Sequence, residues 1–516
     1  MKSPLTGSDT IHDVLGIGFG PSNLALAIAI DEHNANLPAD SRTNALFLER
    51  QQSFGWHRGM LIDDATMQVS FLKDLVTLRD PASDFSFLCF LRERGRLIDF
   101  LNQKTLFPLR VEFHEYFEWA AERVRHLVAY DHVVTAIDPV RDDTGAVTHF
   151  EVVCRDPERP GRHVTYRARD ISVAVGLEPH VPPGVELSER VWHNSELLPR
   201  VTELAASGEP VRRVVVLGAG QSAAETVDYL HRSFPEAEVC AVFAKYGYTP
   251  ADDSPFANRI FDPEAVDVYF VAPSEVKQSL FDYHRSTNYS VVDMELIESL
   301  YATAYQEKVN GRERLRFLNV SRIRGVRERG DGGLDVAVEF LPTGEQQLLQ
   351  ADVLVHATGY RPRDLTALLG EAAKVCLRDD GDALRVSRDH RVETAPDVTA
   401  GIYLQGGTEH THGLTSTLLS TTAIRAGRST GPCWPAVRRP SERVRPLPPR
   451  ARRGRGRPPP DPWTSPPRTC PPPTRARTHG CRPTHRRWRP RRRRAPGPAP
   501  RRRRRSSARR PGRTVP

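Results

Sequence analysis

Val14–Leu24 reads VLGIGFGPSNL, and this stretch decides the fold. Val14, Leu15 and Ile17 form a short apolar run, as a buried parallel strand does. The run breaks into Gly16, Gly18 and Gly20, and residues 23–30, NLALAIAI, then read as a helix. Strand, glycine turn and helix in that order place a dinucleotide pyrophosphate on the positive end of a helix dipole. Glycine is needed there because a Cβ would block both the tight turn and the close approach of backbone to phosphate. Pro21 replaces the usual third small residue and suits a first helical turn, where its missing N–H costs nothing. A second apolar strand, Ala45–Leu48, ends at Glu49, an acid placed to accept hydrogen bonds from a ribose diol.

The pattern recurs about 200 residues later. Val214–Glu225, VVVLGAGQSAAE, is again strand, turn and helix, with Gly218, Gly220 and Ala223 spelling GxGxxA. One such motif is a weak signal; two in one chain imply two nucleotide domains and a flavin reduced by a nicotinamide cofactor. The ribose-reading strand of the second unit is Glu238–Phe243, followed by Ala244 and Lys245. No acid stands where one would hold a bare 2′-hydroxyl, and Lys245 is placed to pair with a 2′-phosphate, which favours NADPH over NADH.

Charge divides the chain sharply. Residues 428–516 hold 29 Arg, no Lys, two acids and 22 of the 43 prolines, so residues 1–427 carry a net charge of about −18 although the whole chain is at +9. The body therefore reads as an acidic soluble protein, and the tail alone makes the chain basic. The tail cannot bury enough apolar surface to offset chain entropy and is expected to be disordered. Runs such as Arg501–Arg505 could meet nucleic-acid phosphates, but an Arg-rich, Lys-free composition reads better as a frameshifted or non-homologous end. The four body cysteines (Cys89, Cys154, Cys240, Cys376) are widely spaced without a CxxC, which points to neither a disulfide framework nor a metal site. His410 and His412 alternate in an irregular stretch with only Glu409 nearby and are read as non-ligating. No apolar run approaches a membrane span and no signal-peptide core opens the chain, so a reducing cytoplasm is expected.

Between these landmarks, residues 67–81 mix polar and apolar side chains without a period, as a loop lining a site does. Lys73 is the only cation between Arg58 and Arg79. Helices are expected over 85–93, 112–128, 291–306 and from Gly413 to Arg425. Residues 200–210 read as a linker, and 353–360 and 402–405 as strands.

Seven stretches together resemble the microbial N-hydroxylating flavin monooxygenases, the L-ornithine N(5)-monooxygenases and their lysine N(6)-hydroxylase relatives. They are GFGPSNL at 18–24, MQVSFLKDLVTLRDP at 67–81, GAGQSAAE at 218–225, DDSPFANRIFDP at 252–263, NYSVV at 288–292, ATGY at 357–360 and GLTSTLLS at 413–420. The resemblance spans residues 11–425. It implies that Gly18, Gly20 and Pro21 hold FAD phosphates and Glu49 its ribose, with Ser53, Trp56, His57, Gln68, Thr417, Leu418 and Leu419 lining the remainder. Gly218, Gly220, Gln221, Ser222 and Ala223 would hold NADPH, joined by Lys245 and by Asn288, Tyr289 and Ser290 at the nicotinamide end. Lys73, Asn258, Asn288 and Ser420 would bind the amino-acid substrate. The implied chemistry is addition of O2 at the flavin C4a carbon and transfer of an oxygen to the ornithine δ-amine. N(5)-hydroxyornithine would then feed a hydroxamate siderophore, and a homotetramer is implied.

The expected fold is thus α/β, with two Rossmann-like domains for FAD and NADPH, a small mostly helical substrate subdomain and a disordered tail. Its boundaries are 1–205 with 363–427 for FAD, 206–255 with 336–362 for NADPH, 256–335 for substrate and 428–516 for the tail. A disulfide reductase is disfavoured because no redox CxxxxC follows the first glycine turn. Lysine differs from ornithine by one methylene and stays open as the substrate. So does an inactive copy, because the likeness stops near Gly427; some relatives also carry an arginine near the 2′-phosphate, where the nearest cation here is Lys245.

Overall fold

The computed structural model describes residues 10–159 and 161–433, without the side chains of 430–433. The strand Ile11–Ile17 is central to the first sheet and runs parallel to Ala45–Leu48 on one side and to His163–Val173 on the other. His163–Val173 is long enough to serve two partners. Its first half pairs antiparallel with Val147–Arg155, while its second half pairs parallel with Gly401–Leu404. The last strand of the fold therefore returns to the first sheet beside the glycine turn.

A second sheet of five parallel strands runs in the order Leu315–Leu318, Glu238–Val242, Arg213–Leu217, Val353–His356, Val191–His193. Val214, Val215, Val216 and Val353, Leu354, Val355 are fully buried, as strands covered on both faces must be. A three-stranded antiparallel sheet (Ser321–Glu328, Leu334–Phe340, Gln346–Ala351) stands beside it, and the short pair Leu177–Pro179 and Tyr360–Pro362 joins the two crossover segments. Leu315–Leu318 and Ser321–Glu328 place part of 256–335 in sheets. The helical portion is Pro263–Val271, Ser274–His284 and Met294–Asn310.

Three local expectations are corrected. Residues 200–210 are not a linker: the helix Leu197–Ser207 covers most of them, because Leu197, Val201 and Leu204 recur at helical spacing and are buried against the second sheet. No single helix starts at Gly413. The chain first winds through two 3₁₀ turns, Leu414–Thr417 and Leu419–Thr421, and the α-helix opens only at Thr422. Hydroxyls compete for the backbone here, Thr421 Oγ1 donating to the Thr415 carbonyl and Thr422 Oγ1 to that of Leu418. That helix continues to Cys433, past the boundary drawn at Arg428. The remainder of the expected tail lies outside the described residues, and among the described residues no helix is long and apolar enough to cross a membrane.

Candidate active site

Both glycine turns end in a helix whose first N–H groups have no side-chain cap. Gly20 is the N-cap of Pro21–Ala35 and Gly220 that of Gln221–Ser233. The glycines differ in what they do. Gly18 has φ +83° and an added Cβ would lie 2.5 Å from the Ala174 carbonyl oxygen, so it serves the turn and the approach to the neighbouring strand. A Cβ on Gly20 would meet nothing within 4 Å. The space over the uncapped helix end is open, and an anionic group fits this cradle. Asn23 is wholly buried and fixes the turn from behind, its amide donating to the carbonyls of Gly18 and Ser172 while the Ser172 hydroxyl donates to it.

Glu49 is 5% exposed and sits at the end of its strand. Its carboxylate accepts from the backbone N–H of Phe19 (2.6 Å) and of Gln51 (2.9 Å), which hold it beside the first glycine turn. Trp56 and His57 are in edge contact at 4.6 Å, and His57 takes a left-handed backbone. His57 is exposed as a residue, yet the surrounding protein desolvates it. That desolvation and the Arg110 charge push its pKa down. Ser53 Oγ accepts from Arg58 at 2.7 Å.

At the second turn, Gly218 (φ +150°) lets the backbone pass the Ala357 carbonyl, which an added Cβ would approach to 2.3 Å; that Cβ would also lie 2.9 Å from the Ala223 methyl. The motif alanine is therefore a contact of the first glycine. Gly220 faces Ser290, whose Cα would be 3.5 Å from an added Cβ. Lys245 Nζ donates to the Ser290 carbonyl at 2.7 Å, so three members of the expected NADPH set are brought together. Sequence reasoning missed Arg285, an exposed cation close enough to lower the Lys245 pKa after burial has done so.

Two polar bridges connect the nucleotide ends. Gln221 donates to Asp293 at 2.5 Å, and Gln68 approaches the same carboxylate oxygen at 3.5 Å, so residues expected at different cofactors share a partner. Gln221 also donates to Glu225, which is held by a bidentate pair with Arg110 at 2.6 and 2.9 Å. Glu409 forms the second bridge, accepting from the Tyr289 hydroxyl and, at 3.5 Å, from Thr417 Oγ1. Leu418 and Leu419 are half-buried beyond it, and Ser420 is buried.

Lys73 is half-buried, its ammonium 5.6 Å from the Phe261 ring centroid. Burial lowers its pKa and the Asp262 carboxylate opposes that shift. The next residue, Asp74, is buried and caps the turn, accepting from the N–H groups of Val76, Thr77 and Phe87. Lys73 thus reaches the 252–263 segment that carries Asn258, whose own amide donates to the Asp253 carbonyl at 2.6 Å. His410 bonds the Leu384 carbonyl, and His412 stacks on His390 with centroids 4.0 Å apart.

A profile of the L-lysine 6-monooxygenase/L-ornithine 5-monooxygenase family matches residues 10–362. The chain belongs to this family. It is 42% identical over 412 residues to an L-ornithine N(5)-monooxygenase of Burkholderia cepacia, covering 78% of this chain and 90% of that one. It is 34% identical to an L-ornithine N(5)-monooxygenase of Pseudomonas aeruginosa, covering 83% and 94%. Among solved structures, an ornithine N-hydroxylase of Kutzneria sp. 744 with reduced FAD, NADP+ and L-ornithine superposes with a TM-score of 0.77 at 47% identity, over 82% of this chain and 99% of that chain. An L-lysine 6-monooxygenase of Pseudomonas syringae superposes at 0.71 with 29% identity, over the same shares.

Proposed function

We propose that this flavin monooxygenase uses FAD and NADPH to hydroxylate the side-chain amine of L-ornithine. The overall change is R–NH2 + O2 + NADPH + H+ to R–NHOH + H2O + NADP+. The observation that carries the reading is the pair of uncapped, Cβ-free helix ends, with a buried acid beside the first and two cations beside the second. Ornithine is favoured over lysine by the higher identity to ornithine enzymes than to the lysine enzyme, 47% against 29%.

FAD is assigned to the sheet containing Ile11–Ile17 and NADPH to that containing Arg213–Leu217. The 67–81 turns and the helices between 263 and 310 bound the substrate. The bound flavin, reduced by the nicotinamide, supplies the activated oxygen. Gly18, Gly20 and Pro21 leave the helix end free for the FAD pyrophosphate, and Glu49 accepts from its ribose. Lys245 and Arg285 meet the NADPH 2′-phosphate. Lys73 pairs with the substrate α-carboxylate, assisted by Asn258 and Ser420. Asn288 orients the δ-amine without adding charge. The amine must shed its proton to act as a nucleophile, and enclosure in a dry site favours its neutral form. The product suits a hydroxamate siderophore, a metal-chelating use of the N–OH group. A homotetramer belongs to the same reading through the family resemblance, and exposed Ile98, Leu101, Leu106 and Phe107 offer apolar surface for an interface.

The test is NADPH oxidation and hydroxylamine formation by purified protein with FAD, comparing L-ornithine, L-lysine and no amine. Hydroxylamine from ornithine in preference to lysine is expected. Hydroxylamine from lysine alone would overturn the substrate assignment, and NADPH oxidation yielding only peroxide would remove the hydroxylation claim.

A further inference from the structure

Arg425, on the helix Thr422–Cys433, is 3% exposed. Its guanidinium is shared among neutral acceptors. Nε donates to Gln405 Oε1 (3.1 Å), Nη1 to the Ser416 carbonyl (2.6 Å), and Nη2 to Ser22 Oγ (2.9 Å) and Thr422 Oγ1 (3.4 Å). Among the described residues no carboxylate forms an ion pair with it. Buried charges are ordinarily paired, because desolvation costs several kcal/mol per ion (order of magnitude). Burial lowers the Arg425 pKa to about 10, which still leaves the group charged at neutral pH. Its neighbours add no negative charge. His390 and His412 are buried and stacked, and both are kept neutral by burial, with Arg425 contributing. Gln405 is held by the Ser429 hydroxyl, and Ser416 Oγ is buried without a partner.

The placement of its acceptors gives this charge a purpose. Ser22 is the second residue of Pro21–Ala35, in the uncapped first turn after Gly20. Ser416 belongs to the 3₁₀ turn that leads to Thr417–Leu419, and Gln405 follows the strand Gly401–Leu404. One side chain therefore ties together three segments of the unit to which FAD is assigned. We propose that Arg425 is a positioning residue for FAD: it locks the glycine turn onto the 414–417 turn, and its buried charge is balanced by the dinucleotide pyrophosphate. FAD binding and docking of the C-terminal helix then stabilise one another. This inference rests on the FAD assignment made above.

The test measures two quantities on the full chain, thermal stability of the apoprotein and the FAD dissociation constant from flavin fluorescence, for wild type, Arg425→Met, Arg425→Lys and Ser22→Ala. In the apoprotein, loss of an unbalanced charge and loss of four hydrogen bonds act in opposite directions, so the decisive readout for Arg425→Met is FAD affinity rather than the apoprotein melting point. That variant should bind FAD at least ~10-fold more weakly, a loss of about 1.4 kcal/mol. Arg425→Lys should recover part of that affinity, and Ser22→Ala should lose a smaller part. A plain structural latch predicts a lower apoprotein melting point with FAD affinity unchanged, and unchanged FAD affinity would overturn the proposal. Should Arg425→Met fail to fold, Ser22→Ala binding FAD as wild type does would overturn it equally. A wild-type protein that binds no FAD would instead bring down the FAD assignment, before any variant is compared.

Discussion

The two glycine turns share a backbone but not surroundings. In each, the first motif glycine occupies positive φ and passes within a Cβ's reach of a carbonyl on a neighbouring strand or its extension. In each, the last glycine caps a helix with no side chain of its own. What differs is the end of the next strand. The first turn has a buried acid, Glu49, pinned by two backbone N–H groups; the second has Lys245, bonded to a carbonyl and flanked by Arg285. On the proposed assignment, the turn takes a dinucleotide and the residue one strand away chooses which one.

The largest expected effect separates the two sites. Gly18→Ala and Gly218→Ala each force a side chain into positive φ and against a carbonyl, at a cost of about 1–3 kcal/mol for the backbone alone. Gly18→Ala should abolish flavin retention on purification. Gly218→Ala should keep the flavin and raise the KM for NADPH by about 100-fold or more. Loss of both cofactors in both variants would mean that the sheets do not act independently.

A smaller effect tests the cations. Lys245→Glu places an acid where the first site has one. Charge-assisted bonds contribute roughly 1.5–3 kcal/mol, so the KM for NADPH should rise at least ~10-fold, with NADH affected far less. Arg285→Ala should act in the same direction and more weakly, since its side chain is exposed. An unchanged NADPH/NADH ratio in both would place the 2′-phosphate elsewhere.

What sequence could and could not show follows from the range of each interaction. The glycine turns were legible because their constraint is local: φ, Cβ clearance and helix start lie within ten residues. Glu49 was legible because strand length fixes its position. The helix Leu197–Ser207 was misjudged because short polar and proline punctuation outweighed an apolar spacing that was present. Arg285 was invisible beside Lys245 because the two are 40 positions apart and only the fold brings their charges near one another. Arg425 figured in the sequence only as the end of the expected helix from Gly413, and only the fold sets it against Ser22, 403 positions earlier. Lys73 stood out only through its isolation among apolar residues. The structure adds Phe261 and Asp262 as its company, and these carry a prediction about pH. A lysine whose pKa is lowered by burial loses its charge at lower pH than a free one. The KM for ornithine should therefore rise on the alkaline side. Lys73→Met should remove that rise along with most substrate affinity.

The smallest effect is the most diagnostic of how the first turn works. Gly20 has an ordinary negative φ, and an added Cβ meets nothing within 4 Å. Gly20→Ala should therefore leave apoprotein stability nearly unchanged, within the ±0.5 kcal/mol or so typical of substitutions away from packed or strained features. If the open space is the phosphate cradle, the methyl will crowd the ligand, and FAD affinity should fall a few-fold with NADPH affinity intact. The corresponding Gly220→Ala faces Ser290 at 3.5 Å, an ordinary contact, and should weaken NADPH binding while sparing FAD. Equal FAD affinity in Gly20→Ala and wild type would show that the glycine is there for the turn alone, and that the open volume above it is not where the pyrophosphate lies.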